Sequence, residues 1–149
     1  MRNLILVILG LAAALSGCAP APAGGDSIEV REAWVRTAPG TDGMGMNGAL
    51  FMTIKNIAGE ADVLMRVETQ AAHMAEVHLT EVDANGVTSM HEVEGVEIPA
   101  KGQVEFKSGS YHVMLMGLKE GIQPGTTASF TLYFKNAGAV VVEAPVKSP

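Results

Sequence analysis

The sequence has 149 residues, a formal net charge of −6 and a single cysteine, Cys18. This length is enough for one domain that buries its own core. The acidic balance argues against nucleic acid as a partner, because phosphate binding needs a basic face. The single cysteine excludes an intrachain disulfide and any metal site built from several thiolates.

The N-terminal segment has the pattern of a bacterial targeting sequence. Arg2 supplies a positive charge, and Leu4 to Leu15 is almost wholly apolar. That apolar run has the length of a signal peptide and is too short for a membrane span. It ends in Leu15-Ser16-Gly17-Cys18, which resembles the bacterial lipobox, whose cysteine is lipidated and becomes the first mature residue. A plain signal peptide cleaved nearby, with Cys18 incidental, is the alternative.

The lipobox interpretation divides the N-terminal part of the chain into two pieces. Residues 1–17 would be a lipoprotein signal peptide. Residues 18–27 would be the lipidated Cys18 and a tether rich in Pro, Ala and Gly, which has nothing to bury. We therefore expect a protein of the bacterial periplasm that a lipid anchor holds at a membrane.

From residue 28 onward the chain consists of short β-rich runs separated by turn signals. Phe130, Leu132 and Phe134 alternate along the chain with Thr131, Tyr133 and Lys135, which is the period of a half-buried strand. No long stretch has a convincing helical period. This predicts an all-β domain over residues 28–149, an antiparallel β-sandwich. The predicted strands are Ile28–Arg36, Ala49–Asn56, Val63–Glu68, Glu76–Val82, Thr88–Val93, Gln103–Phe106, His112–Gly117, Thr127–Lys135 and Ala139–Val146.

The segment Thr41–Gly48 is predicted to be a loop with two methionines, Met44 and Met46, between glycines. There is no core pattern to explain these side chains. The loop is either flexible with incidental methionines or a flap that brings extra thioethers over a metal.

The run Tyr111–Gly117 reads as a strand with chemistry on one face. Because side chains alternate, His112 and Met114 share one side and Val113 and Leu115 the other. An imidazole and a thioether two residues apart suit a soft metal, above all Cu(I). Ordinary packing is the alternative for this pair alone, since methionine often fills gaps in cores.

The turn at Asn85-Gly86 determines whether His78 and Met90, a second His/Met pair, lie on one face of the hairpin. A two-residue turn would put His78 and Met90 on opposite faces. A three-residue loop with Gly86 in the left-handed conformation would pair Thr80 with Met90 and make His78 a diagonal neighbour of Met90 on one face. The sequence permits both turns. Only the second explains an apolar Met90 on a polar face, and we predict that one.

The spacing of these residues resembles that of a known family. His78, Leu79, ten residues, Met90, twenty-one residues and His112-Val113-Met114 are similar to the H-(M)-x10-M-x21-H-x-M pattern of the PCu(A)C periplasmic copper chaperones. Gly95–Ala100 and Tyr111–Leu118 also look like that family, so the resemblance covers nearly all of residues 28–146. The optional methionine after the first histidine is Leu79 here, so that thioether is missing.

The resemblance implies a cupredoxin-like sandwich with Greek-key connections that binds Cu(I). It implies His78, Met90, His112 and Met114 as the ligands. It also implies delivery of copper to a copper-accepting subunit of a respiratory oxidase or to another copper carrier. Accessory metal ligands are sought among Met44, Met46, His73, Met74 and Met116. His91 should point to the face opposite Met90 and take no part.

Other classes of protein fit the sequence less well than a carrier without turnover. No nucleophile-elbow motif of a hydrolase is visible. A blue-copper site needs a cysteine thiolate, and the domain has no cysteine. A periplasmic protein that buffers copper or confers resistance to it is the alternative function, and a structural β-sandwich lipoprotein is a more distant one.

Overall fold

The computed structural model describes residues 27–39 and 45–148. The predicted signal peptide, Cys18, most of the tether and Met44 lie outside the described residues. Within the described part no helix has the length and apolar character needed to cross a membrane. The described residues form ten strands: β1 Ile28–Pro39, β2 Met46–Asn56, β3 Asp62–Thr69, β4 Ala72–Val82, β5 Thr88–Glu92, β6 Val96–Ile98, β7 Gln103–Phe106, β8 Tyr111–Leu118, β9 Thr127–Phe134 and β10 Gly138–Lys147.

The strands form two layers that are joined along one side. The first layer has the order β5-β4-β8-β2-β1, with β7 also beside β2, and the second has the order β10-β9-β3-β6. A short parallel pairing of β1 with β10, at Val35 opposite Val146, links the two layers. All other strand pairs are antiparallel, and the chain crosses repeatedly between the layers. The predicted all-β sandwich is therefore confirmed.

The core lies between the two layers and is built from alternate residues of each strand. Phe130 and Leu132 of β9 are 1% and 0% exposed, and Val113 and Leu115 of β8 are 0% exposed. Each such side chain stabilises the fold by about 1.5–3 kcal/mol. Because β8 turns Val113 and Leu115 inward, it turns His112 and Met114 to the outer face of the first layer.

Most predicted strands differ from the observed ones by one to four residues at an end, and one strand was not predicted. Met46 to Gly48, predicted to belong to the loop Thr41–Gly48, are part of β2, with Gly48 opposite Thr37 of β1 and Leu115 of β8. Strand β4 begins at Ala72 rather than at Glu76 and so contains His73 and Met74. Strand β6 was not predicted, because three residues are too few to show a strand period.

Candidate metal centre

The β4–β5 hairpin has the three-residue loop that was predicted from the sequence. Thr80 pairs with Met90, the Asp83 N–H donates to the Val87 carbonyl at 2.9 Å, and the Gly86 N–H donates to the Asp83 carbonyl at 3.0 Å. Gly86 has a φ of 82°, in the left-handed region where glycine has no steric cost. His78 and Met90 are therefore diagonal neighbours on one face, as predicted.

The pairing of β4 with β8 brings the two histidine and methionine pairs together. His78 lies directly opposite His112, and Glu76 lies directly opposite Met114. The two imidazole ring centroids are 6.0 Å apart. Opposite residues of an antiparallel pair share a face, so the structure gathers His78, Met90, His112 and Met114 on the outer face of the first layer, near its β5 edge.

Each imidazole donates one ring N–H to the protein and keeps its other nitrogen for a ligand. The Nδ1 of His112 lies 3.1 Å from the Ser110 carbonyl oxygen, to which it can only donate, so Nε2 carries the lone pair. The Nε2 of His78 lies 3.0 Å from a carboxylate oxygen of Glu76. The Nδ1 of His78 is buried and has no hydrogen-bond partner among the described residues. Metal-binding histidines usually have this arrangement, with the second nitrogen held by a carboxylate or a backbone carbonyl.

Burial keeps one of the imidazoles in its neutral form. His112 is only 7% exposed, although strand alternation assigned it to the outer face. This burial lowers the pKa of His112 below its ordinary value of 6.5, against the raising effect of the hydrogen bond to Ser110, and the nearby charges of His78 and Arg36 lower it further. A neutral imidazole is the form that binds metal.

The thioethers lie where a partner molecule can reach them. Met90 is 52% exposed and Met114 is half-buried. Both line, together with His112, a cavity of about 480 Å³, and Arg36 is the only charged side chain among its described lining residues. The Arg36 guanidinium carbon lies 5.1 Å from the centre of the Phe51 ring, which forms another part of the cavity wall.

Hard ligands alone do not make a metal site here. Across residues 27–39 and 45–148, no group of three or more His, Cys, Asp or Glu side chains is arranged to hold a metal ion. Beside two imidazole nitrogens, this face carries the thioethers of Met90 and Met114. Such a donor set selects a soft ion rather than Zn²⁺.

The candidate accessory residues separate into two groups. Met74 lies directly opposite Met116, on the same face as the site and next to Glu76 and Met114 along their strands. His73, the other accessory candidate on this strand, lies on the opposite face of β4, beside Gly117. Ala49 of β2 pairs with Met114 and so lies on the site face. Alternation along β2 puts Met46 on the other face of the sheet. His73 and Met46 therefore lie off the site face.

Two further observations concern residues outside the ligand set. His91 is exposed and pairs with Leu79, so it lies on the face opposite Met90, as predicted. Glu76 and Ser110 accept hydrogen bonds from the two imidazoles, and neither was predicted from the sequence. The i, i+2 spacing of Glu76 and His78 on one strand was the signal for the first, whereas the carbonyl of Ser110 left no signal in the sequence.

The fold and the outer face define a cupredoxin-like β-sandwich with a His/Met face, and comparison with known proteins agrees. The chain belongs to the family described as "Putative lipoprotein LpqE-like", which is the PCuAC family, and residues 28–146 match it. The resemblance found in the sequence is thereby confirmed. A curated relative is the "Putative lipoprotein Lxx21020" of Leifsonia xyli subsp. xyli, which is 34% identical over 146 residues, 97% of this chain and 84% of that protein.

Two solved structures are similar to this fold and carry copper in their descriptions. The copper-bound PCuAC domain from PmoF2 is 25% identical, with a TM-score of 0.66 over 83% of this chain and 94% of that one. The solution structure of CuI-DR1885 from Deinococcus radiodurans is 27% identical, with a TM-score of 0.59 over 82% of this chain and 80% of that one.

Proposed function

We propose that this protein is a copper chaperone that binds one Cu(I) ion through His78, Met90, His112 and Met114. The observation that carries the proposal is the shared outer face, on which two imidazoles each keep one nitrogen free beside two thioethers. Thioethers are soft and uncharged and favour Cu(I) over harder ions. The copper named in the descriptions of two structural neighbours supports the same metal.

In this proposal the protein carries copper and transfers it without any chemical turnover. Met90 is half-exposed and Met114 borders the open cavity, so ligands of an acceptor can approach from that side and replace one thioether at a time. His78 and His112 hold the ion until the exchange is complete. The acceptor is a copper-binding subunit of a respiratory oxidase or another copper carrier.

The proposed location is the periplasmic side of a bacterial membrane. Support comes from the lipobox-like Leu15-Ser16-Gly17-Cys18 and from the description of the family as lipoproteins. A lipid on Cys18 and a tether up to residue 27 hold the domain near the membrane surface.

Competition for Cu(I) against a chromophoric chelator, together with X-ray absorption, tests the ligand set. The wild-type protein should bind one Cu(I) with mixed nitrogen and sulfur scattering and should prefer Cu(I) to Zn(II). Met90→Leu/Met114→Leu should weaken binding and reduce the sulfur scattering. Met65→Leu is the matched control, because Met65 is 51% exposed on β3 in the other layer. A first shell of nitrogen and oxygen only, or tighter binding of Zn(II) than of Cu(I), would refute the proposal.

A further inference from the structure

Glu76 occupies a special position beside the proposed copper site. It lies two residues before His78 on β4 and shares its face, and its carboxylate accepts the Nε2–H of His78 at 3.0 Å. The His78 side chain is 13% exposed and that of Glu76 is 30% exposed. The hydrogen bond is therefore partly shielded from water, where such a charge-assisted bond is stronger than at an open surface.

This hydrogen bond determines which nitrogen of His78 can bind a metal. A neutral imidazole has one protonated and one unprotonated nitrogen. Because a carboxylate only accepts, Glu76 holds the proton on Nε2 and leaves the lone pair on Nδ1. That Nδ1 is buried, and no residue in the described part of the chain is its hydrogen-bond partner. A buried polar atom without a partner is costly unless a ligand satisfies it.

We propose that Glu76 is a positioning residue, which fixes Nδ1 of His78 as the atom that binds copper. His112 is held in the opposite sense, because the Ser110 carbonyl takes its Nδ1–H and leaves Nε2 free. The two imidazoles thus bind one ion through different nitrogens. The inference rests on the proposed Cu(I) site but concerns a residue that supplies no ligand to the metal.

The chain contains a close control for the effect of charge alone. Glu92 of β5 lies directly opposite His78 and carries the same charge on the same face. It is exposed, and none of the hydrogen bonds observed among the described residues joins it to His78. A general effect of a nearby carboxylate should therefore appear equally in Glu76 and Glu92 variants, whereas positioning should appear only at Glu76.

The copper-free protein gives the first test, by NMR of protein labelled with ¹⁵N at histidine. In the wild-type protein His78 should show a protonated Nε2 whose proton exchanges slowly with water. Glu76→Leu should lose the protected Nε2 proton, and Glu76→Gln should keep it, because the amide oxygen can accept the same bond. Glu92→Gln should leave the signal unchanged. Fast exchange of the Nε2 proton in the wild-type protein, or equal effects of the Glu76→Leu and Glu92→Gln changes, would overturn the proposal.

The Cu(I)-loaded protein gives the second test. On loading, the ¹⁵N signal of Nδ1 of His78 should shift while Nε2 remains protonated. Glu76→Leu should lower Cu(I) affinity about 10–100-fold, the usual range for loss of such a supporting bond. Glu76→Gln should recover most of that loss, and Glu92→Gln should change affinity less than about twofold. Circular dichroism checks that each variant folds.

The two tests separate the failure of this inference from the failure of the proposed function. Loss of the Nε2 proton of His78 on copper binding would mean that Nε2 is the ligand, which refutes the positioning role but keeps the copper site. A wild-type protein that binds no Cu(I) would refute the proposed function. The hydrogen-exchange result in the copper-free protein would still decide whether Glu76 holds the ring.

Discussion

Replacement of His112 by asparagine should separate copper binding from fold stability. The amide N–H₂ of an asparagine can take the place of Nδ1 and donate to the Ser110 carbonyl, but nothing in that side chain replaces Nε2. His112→Ala loses both groups. Comparing the two variants therefore tests whether Nε2 of His112 is the metal-binding atom, independently of how much the side chain stabilises the sandwich.

The expected magnitudes follow from the burial and bonding of His112. Its 3.1 Å hydrogen bond to Ser110 contributes about 1 kcal/mol to the free energy of unfolding. Alanine should cost roughly another 1–2 kcal/mol, because the lost side chain is 7% exposed. Asparagine should therefore be more stable than alanine by about 1 kcal/mol, or ~3–5 °C in Tm. Both should bind Cu(I) at least about tenfold more weakly than the wild-type protein, a loss of about 1.4 kcal/mol or more.

Chemical denaturation measures the stabilities, and chelator competition measures the affinities. His91→Ala is the control, since this exposed residue lies on the opposite face, and both quantities should stay within about 0.5 kcal/mol of wild type. The reasoning fails if His112→Asn binds Cu(I) as tightly as the wild-type protein. It also fails if the affinity losses of the two variants simply follow their stabilities.

Three further changes test other parts of the structure. Since the pKa of His112 in the folded protein is lowered, the unfolded chain takes up a proton first as the pH falls below about 6.5. Between about pH 7 and pH 5, the free energy of unfolding of the copper-free wild-type protein should therefore fall more than that of His112→Asn. Above that range the two free energies should change in parallel. Denaturant titration at each pH measures both. Gly86→Ala should lower the free energy of unfolding by about 1–2 kcal/mol because of the positive φ at this position, and it should weaken Cu(I) binding by disturbing the β4–β5 hairpin. Gly59→Ala is the control and should do neither, because Gly59 lies in open space without a positive φ. Equal Cu(I) affinities for the two variants would contradict the hairpin's role. Cys18→Ser should move the protein from the membrane fraction to the soluble periplasmic fraction, and a wild-type protein that is already soluble there would refute the lipid anchor.

The local patterns of the sequence were sufficient for much of the fold. The alternation of Phe130, Leu132 and Phe134 predicted a half-buried strand, because alternate side chains of a strand point to opposite sides whatever lies next to it. The sequence permitted two turns at Asn85-Gly86, and the correct register could be chosen because only a three-residue loop explains an apolar Met90 on a polar face. Strand β6 was not predicted, since three residues are too few to show the alternation of a strand.

The candidate ligands could be named from sequence, through their spacing and its resemblance to a family. Which of these side chains share a face could be predicted only within a single strand or hairpin. That His78 lies opposite His112 depends on the pairing of β4 with β8, strands separated by β5, β6 and β7 in the chain. Such non-local pairing is set by how the two layers pack their cores, which no short pattern in the sequence records.

The tertiary structure alone decided the surroundings of the two imidazoles. Strand alternation correctly put His112 on the outer face, but it did not predict that this side chain is only 7% exposed. The same alternation separates Met74, on the site face, from His73, on the other, once β4 is known to begin at Ala72. The sequence thus determined which side chains could bind a soft metal. The folded sheet determined which nitrogen of each histidine remains free, because those hydrogen bonds depend on the position of a carboxylate and a backbone carbonyl in space.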